Sequence, residues 1–461
     1  MLNVDISKSV QIKSNLMKKI ITFFILLIFC SSSIFAQKIN YEKSFAIAQQ
    51  KSASQAKILF VKISLPETIE ANKYDAEITF PDVVSKFNSN FISYKGDISD
   101  TSMTKILRKY SINKFPALLF FDVKGGLITK ETGVFTQSVK YLDLANKVLN
   151  LSKEKSIVEY DAEYKKRAFD GDFLKQYISK RMQLGIKNNA SLADQYVEFL
   201  KVSDLNNYDE VLFILKAGPL AYGKAHRLVS INNQLIDSIY KTEILSTRQE
   251  INNAIINNTM IHAISKKNIA WATAASNFTR TTWGKDYREA QKQSSLKMLN
   301  YYKGIKDTAN YLRNAIYYYD QHYMNITKDS IEKKKIKNFE QVKNDAIASA
   351  KMRGENITTY TQTSTNIDDM PTELNNAAYD FFLTGTRNLN YINKAVTWSK
   401  RSLEFNQVYG FYDTLAHLLY RLDYFAEAEF NQNKAIELAK AKQINTNHLQ
   451  EELMKIKNRT L

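Results

Sequence analysis

The stretch "SINKFPALLFFDVKGGLI" (Ser111–Ile128) reads as a buried strand entered through a proline and left through a glycine turn. "FPALLFFDV" is apolar without alternation, as in a strand covered on both faces. Proline cannot donate to a ladder, so Pro116 belongs at the strand's entry. Gly125-Gly126 then reverses the chain into "LITKETGVF" (Leu127–Phe135) as a hairpin partner.

The neighbouring segments fall into a regular order around it. Upstream, "INYEKSFAIAQQKSASQA" sets Ile39, Phe45 and Ala48 at helical spacing, and "KILFVKIS" (Lys57–Ser64) follows as a β-branched, apolar strand. A helix with Val83, Val84 and Phe87 leads to a second strand near Phe91–Lys95. "TSMTKILRKYSI" carries Met103, Ile106, Leu107 and Tyr110 on one helical face, with a serine or threonine cap expected at its start. Downstream, "TQSVKYLDLANKVLN" closes the unit with another amphipathic helix. The expected order is αβαβαββα.

These marks together resemble the thioredoxin superfamily over residues 40–150, in particular the exported thioredoxin-like modules of Bacteroidota. "KILFVKIS" stands for the central strand, "FNSNFISYKGD" for the next, and "YSINKFPALLFFD" for the loop before the third, with Gly133 in the strand after it. The resemblance implies that Pro116 is a cis-proline beside the family's redox pair. Laid on the family's Cys-x-x-Cys segment, "TIEANKY" puts Thr68 and Ala71 in the cysteine positions, with Ile69 and Glu70 between them. Neither can supply a thiolate. A threonine nucleophile at Thr68 needs an adjacent base, and no histidine precedes His226. In the family the residue before the proline, here Phe115, exposes backbone groups that pair with extended peptides. Phe115 and Pro116 are therefore the peptide-binding candidates. The plainer reading is that they only complete a fold inherited from a redox ancestor.

Charge and cysteine content narrow the chemistry. The 461-residue chain carries a formal +17, but its Lys and Arg are interleaved with Asp and Glu, and only "EKKKIK" (Glu332–Lys337) is dense. A solvated helix face accounts for that run, and no nucleic-acid partner is expected. "MKKIITFFILLIFCSSSIFAQ" (Met17–Gln37) has the charge, apolar core and small-residue order of a secretory signal. A leader is expected over residues 1–36, with no transmembrane anchor in the mature chain and a periplasmic or secreted location. Removing it takes away four lysines and one aspartate, so +17 becomes +14. It also removes Cys30, the chain's one cysteine, so the mature chain is expected to have neither disulfide nor thiol exchange. The abundance of Asn, Lys, Ile and Tyr, with only 13 Gly and 5 Pro, also resembles Bacteroidota proteins and suits a helix-rich chain.

From Ser152 onward strand signals nearly vanish. Short amphipathic patterns joined by Gly or Asn turns run from "AEYKKRAFDGDFLKQYISKRMQLGI" to "TANYLRNAIYYYDQHYM" and suggest an α-solenoid. "FYDTLAHLLYRLDYFAEAEFNQNKAIELAKA" resembles a tetratricopeptide repeat (TPR), with Ala416, Ala428 and Ala435 at its close-packing positions. An upstream copy places Ala377, Ala378, Phe381, Ala395 and Ser402 in the same roles. "GENITTYTQTSTNIDDMP" (Gly354–Pro371) is polar and non-periodic, as in a linker. The tyrosines of "YYY" (Tyr317–Tyr319) cannot all be buried on one helix face.

The expected organisation is thus a leader (1–36), an α/β thioredoxin-like domain (37–150), a helical region (151–353), a linker (354–371) and an all-α, TPR-like solenoid (372–461). His226, His262, His322, His417 and His448 are too dispersed for metal-ligand spacing, and no phosphate loop, dinucleotide fingerprint or nucleophile elbow occurs. No catalytic residue, metal or cofactor is expected. The function expected is exported, redox-inactive binding of extended peptides or other envelope proteins. Two alternatives are an oxidoreductase-family member working with a cysteine-bearing partner, and a structural component whose basic charge meets acidic polysaccharide or lipid.

Overall fold

The computed structural model describes residues 38–66, 75–166, 170–333, 336, 339–340, 343–344, 347 and 370–461. The expected leader with Cys30, the positions Thr68, Ile69, Glu70 and Ala71, and the linker up to residue 369 lie outside them. The chain divides into two compact units, the first ending at Lys187 and the second starting at Asn188.

The first unit is built on a five-stranded mixed sheet. In chain order its elements are β1 (Tyr41–Glu42), α1 (Phe45–Gln55), β2 (Ile58–Ser64), α2 (Pro81–Asn90), β3 (Phe91–Asp97), α3 (Thr101–Lys109), β4 (Ala117–Phe121), β5 (Leu127–Thr132) and α4 (Ser138–Leu151). They are followed by α5 (Ile157–Lys165) and α6 (Gly171–Gln183). The strand order is β1-β3-β2-β4-β5. β1 and β2 run parallel to β3, while β4 runs antiparallel to both β2 and β5. Pairing on both sides and helices on both faces leave β2 buried along its whole length, which is why its sequence lacks clean alternation.

Aromatic side chains fill both faces. On one, Phe60 lies 5.0 Å from the rings of both Phe87 and Phe120, and α4 adds Tyr141, Leu144, Ala145 and Val148. On the other, Phe45 of α1 meets Tyr94 and Phe121 at 5.9 and 6.5 Å, and Tyr110, after α3, also meets Phe121. Pro81 opens α2 at a position where its missing N–H costs no helical bond. The cap of α3 is Asp100 rather than a serine or threonine: its carboxylate accepts from the Ser102 N–H at 2.9 Å. The first helix likewise begins later than Ile39 suggests, because Ser44 caps it at Phe45 and Ile39 lies before β1, outside any helix.

This unit extends past residue 150 for a reason located in the β4–β5 turn. Asp122 accepts from the N–H groups of Lys124 and Gly126 at 2.8 and 2.9 Å, and Gly125 takes φ +80°. A Cβ on Gly126 would stand 3.0 Å from Val158 and 3.2 Å from Ile157, so the glycine lets α5 close onto the turn. Lys124 then reaches Glu159 at 2.8 Å. Glu159 also forms a capping box: the Ser156 N–H donates to its carboxylate, and the Glu159 N–H donates to Ser156 Oγ.

The second unit is helical among its described residues. It comprises α7 (Ala190–Tyr196), a 3₁₀ turn (Val202–Asn206), α8 (Tyr208–Ala217), α9 (Lys224–Val229), α10 (Asn233–Thr242), α11 (Leu245–Ser265), α12 (Ile269–Thr281), α13 (Tyr287–Gly304) and α14 (Thr308–His322). After the undescribed stretch come α15 (Met370–Leu383), α16 (Leu389–Phe405), α17 (Tyr409–Arg421), α18 (Phe425–Ala441) and α19 (Asn447–Asn458). Met370 and Pro371 open α15 instead of ending a linker. Ala395, Ala416, Ala428 and Ala435 have no exposed surface, and neither does Ser402. Trp398 is completely buried, 4.9 Å from Phe381 and 5.2 Å from Tyr319, and its Nε1–H donates to Asp320 at 2.9 Å. Of the three adjacent tyrosines, Tyr318 and Tyr319 are buried and Tyr317 faces solvent. No helix among the described residues is long and apolar enough to cross a membrane.

The Glu159 arrangement carries a pH signature. The Lys124 ammonium and the Ser156 N–H hold its carboxyl down to about 2 from an ordinary 4.5. A carboxyl lowered by folding contributes stability that is complete above its unfolded value and is lost as pH falls through the folded one. Glu159→Gln is expected to lower the protection of α5 amides at neutral pH and to flatten their acid dependence between those two values. Hydrogen exchange across α5 at pH 7 and at acid pH checks both.

Candidate functional site

The loop between α3 and β4 delivers Phe115 and Pro116 to the edge of the sheet's centre. Its start is fixed by Tyr110, a buried residue whose carbonyl accepts from the Lys130 ammonium. The Ile112 N–H returns to the Leu107 carbonyl at 2.8 Å, and Ser111 takes φ +52° to make the turn. Asn113 and Lys114 are exposed, Phe115 is half-buried and Pro116 is buried. The Phe115-Pro116 peptide bond is cis. The Pro116 carbonyl accepts from the Gly133 N–H at 2.7 Å, tying the loop to the bend just past β5, where Gly133 lies outside the strand expected to contain it. Among the described residues nothing pairs with the backbone N–H or carbonyl of Phe115.

A charge is buried in the central strand. Lys62 has no exposed surface. Its ammonium lies 2.7 Å from an oxygen of Asp75, whose side chain is 6% exposed, and donates to the Ala76 carbonyl at 3.0 Å. In the sheet Lys62 stands opposite Lys95 of β3 and Leu118 of β4, and Lys95 pairs with Glu77. Two lysines in adjacent strands thus pin the segment Asp75–Glu77 across the sheet. Tyr41 and Tyr141 complete the surroundings. Burial pushes the Tyr41 hydroxyl up, and the nearby Glu77 and Asp75 carboxylates push it further. Burial also raises Tyr141, opposed by the Phe135 N–H that its oxygen accepts at 3.0 Å, with Asp75 adding a smaller upward push. Among the described residues, the buried hydroxyls of Tyr41, Ser64 and Ser93 find no hydrogen-bond partner.

The candidates named from the sequence do not all come together. Phe115 and Pro116 form one corner. Thr68, Ile69, Glu70 and Ala71 lie outside the described residues. Ala416, Ala428 and Ala435 are packing residues of the second unit. Lys62 and Asp75 were missed. One signal was present: a lysine inside "ILFVKIS", a strand apolar on both faces, demands a buried partner. The identity of that partner was not legible, because Asp75 sits in a polar stretch with no pattern. Among the described residues no group of three or more His, Cys, Asp or Glu side chains could hold a metal ion.

No family model matches the chain, and no curated protein matches it. Among solved structures, a chain titled "DsbH Oxidoreductase" aligns with 27% of this chain and 92% of its own length, at 15% identity and a TM-score of 0.23.

Breaking a buried ion pair leaves one charge desolvated and unpaired, which typically costs ~3–5 kcal/mol, whereas replacing both partners with apolar residues is often neutral. Lys62→Met is therefore expected to destabilise the first unit by about 3 kcal/mol. Lys62→Met combined with Asp75→Leu is expected to recover most of that loss. Urea unfolding followed by circular dichroism, with exchange of the β2 amides, measures both. Additive losses in the double variant would contradict the pairing.

Proposed function

We propose that this chain is an exported, redox-inactive protein in which a thioredoxin-like module binds extended segments of other envelope proteins, with a TPR-like helical region as its scaffold. The observation that supports the binding role most is the backbone of Phe115. It lies half-buried beside Pro116, with a donor and an acceptor that no described residue satisfies. Such a pair can form one rung with an extended chain, and main-chain pairing of this kind supplies affinity without a reactive side chain. The three parallel strands followed by an antiparallel hairpin, with proline at the entry to β4, support the thioredoxin-like reading. The helix pairs α15–α16 and α17–α18, packed through Ala395, Ala416, Ala428 and Ala435, support the TPR-like one.

Export and loss of Cys30 with the leader underlie the redox-inactive assignment. The expected behaviour is saturable binding of a permanently unfolded, reduced and alkylated polypeptide in isothermal titration, with no reduction of insulin disulfides. Phe115→Asp, checked for folding by circular dichroism, is expected to weaken that binding about tenfold, or ~1.4 kcal/mol. An absence of saturable binding, or equal affinity in the variant, contradicts the reading.

A further inference from the structure

The second unit contains a buried histidine with acceptors at both ring nitrogens. His417 of α17 and Glu452 of α19 have side chains only 4% and 7% exposed. His417 Nδ1 is 2.8 Å from the Asp413 carbonyl oxygen of its own helix, and Nε2 is 3.2 Å from a Glu452 carboxylate oxygen. A backbone carbonyl can only accept, so Nδ1 carries a hydrogen. Nε2 then faces a carboxylate, and that contact is a hydrogen bond only if a second proton lies between the two groups. A neutral ring would turn a lone pair on the Glu452 carboxylate at 3.2 Å.

Every element packed against the ring contributes. On α17 the Asp413 carboxylate lies 3.8 Å from Nδ1. On α15 the rings of Tyr379 and Phe382 stand nearly perpendicular to the imidazole at 5.9 and 5.0 Å. On α18 Gln432 donates to Asp413 at 2.8 Å and to the Leu449 carbonyl at 3.1 Å. On α19 Lys455 lies 2.8 Å from Glu452, and the exposed His448 lies 3.9 Å from it. Burial pushes the Glu452 carboxyl up, but the Lys455 and His417 contacts outweigh it and hold the group below the usual carboxylate range. The Lys455 ammonium at 2.8 Å pairs with Glu452 as a carboxylate, and the second proton then belongs to the ring.

We propose that the last helix, α19, is docked by this proton, so that its loss as pH rises loosens α19 and uncovers the apolar strip beneath it. That strip contains Ile436 and Ala439 of α18, which are buried together with Leu449 of α19 and flanked by Tyr409 and Leu453. Among the described residues α19 is also held by Ile456 in the unit's core, by Gln432 on the Leu449 carbonyl, and by the Lys457–Glu429 pair at 3.2 Å, which is half-exposed and weak, so loss of the proton loosens the helix without releasing it.

The test is hydrogen exchange of the α19 amides, corrected for intrinsic rates and referenced to α17, between about pH 5 and about pH 8, where an imidazole titrates. Protection of α19 is expected to be lost progressively across that interval while that of α17 holds. His417→Gln, which keeps a neutral donor toward Glu452, is expected to remove the pH dependence, while His448→Gln leaves it unchanged. Nitrogen-15 spectra of the unmodified chain give a readout independent of any variant. Both His417 nitrogens are expected to be protonated at the acid end. Flat protection in the unmodified chain, an unchanged slope in His417→Gln, or a neutral His417 ring at the acid end would overturn the proposal.

Discussion

Burying the Lys62 ammonium in the central strand removes a charge from water at a cost of several kcal/mol, and the Asp75 carboxylate at 2.7 Å with the Ala76 carbonyl at 3.0 Å must offset it. The placement of the Asp75–Glu77 segment against the sheet follows from that requirement. Asp75 and Ala76 meet Lys62, and the Lys95–Glu77 pair in the next strand holds the same segment against the sheet. Phe80 then delivers the chain to α2 through Pro81. An apolar residue at position 62 would bury as well or better, but it would leave the Asp75–Glu77 segment without its inner anchor. The lysine therefore specifies where that segment lies more than it adds net stability.

The second unit relies on close packing of small residues. Ala395, Ala416, Ala428 and Ala435 are fully buried where helices meet, and Trp398 fills the volume between Phe381 and Tyr319. Interiors packed this way respond to the addition of even one methylene. The polar exceptions are correspondingly informative. Trp398 Nε1 is satisfied by Asp320, and His417 by Asp413 and Glu452. Each joins residues from separate turns or helices, so each marks a contact that apolar packing alone would leave free to slide.

Legibility from the sequence followed the range of the interactions involved. The stretch from Ser111 to Ile128 shows its strand, turn and hairpin because proline, glycine and an apolar run act within a few residues. The helical faces of Met103 and of Val83, Val84 and Phe87 were readable for the same reason. What depended on distant partners was hidden. Asp75 finds Lys62 across a polar stretch, and Glu452 finds His417 from another helix. α5 joins the first unit through a glycine and a lysine in a turn more than thirty residues earlier. The cap of α3 was misread by one position, since Asp100, Thr101 and Ser102 are all competent and only the backbone geometry chooses Asp100. Met370 and Pro371 were read with the polar, non-periodic stretch before them, because the apolar face they share with Leu374, Ala377 and Ala378 shows only in the packed helix.

The central claim is that the corner formed by Phe115 and Pro116 recognises an extended chain through its backbone. The most direct measurement is a nuclear magnetic resonance titration of the labelled chain with an unstructured peptide, following backbone amides. The account predicts saturable shifts concentrated at Phe115, Ala117 and Gly133, with a slowed exchange of the Phe115 N–H in the bound state. Saturable shifts that leave those amides in place and map instead to the helical unit would contradict it.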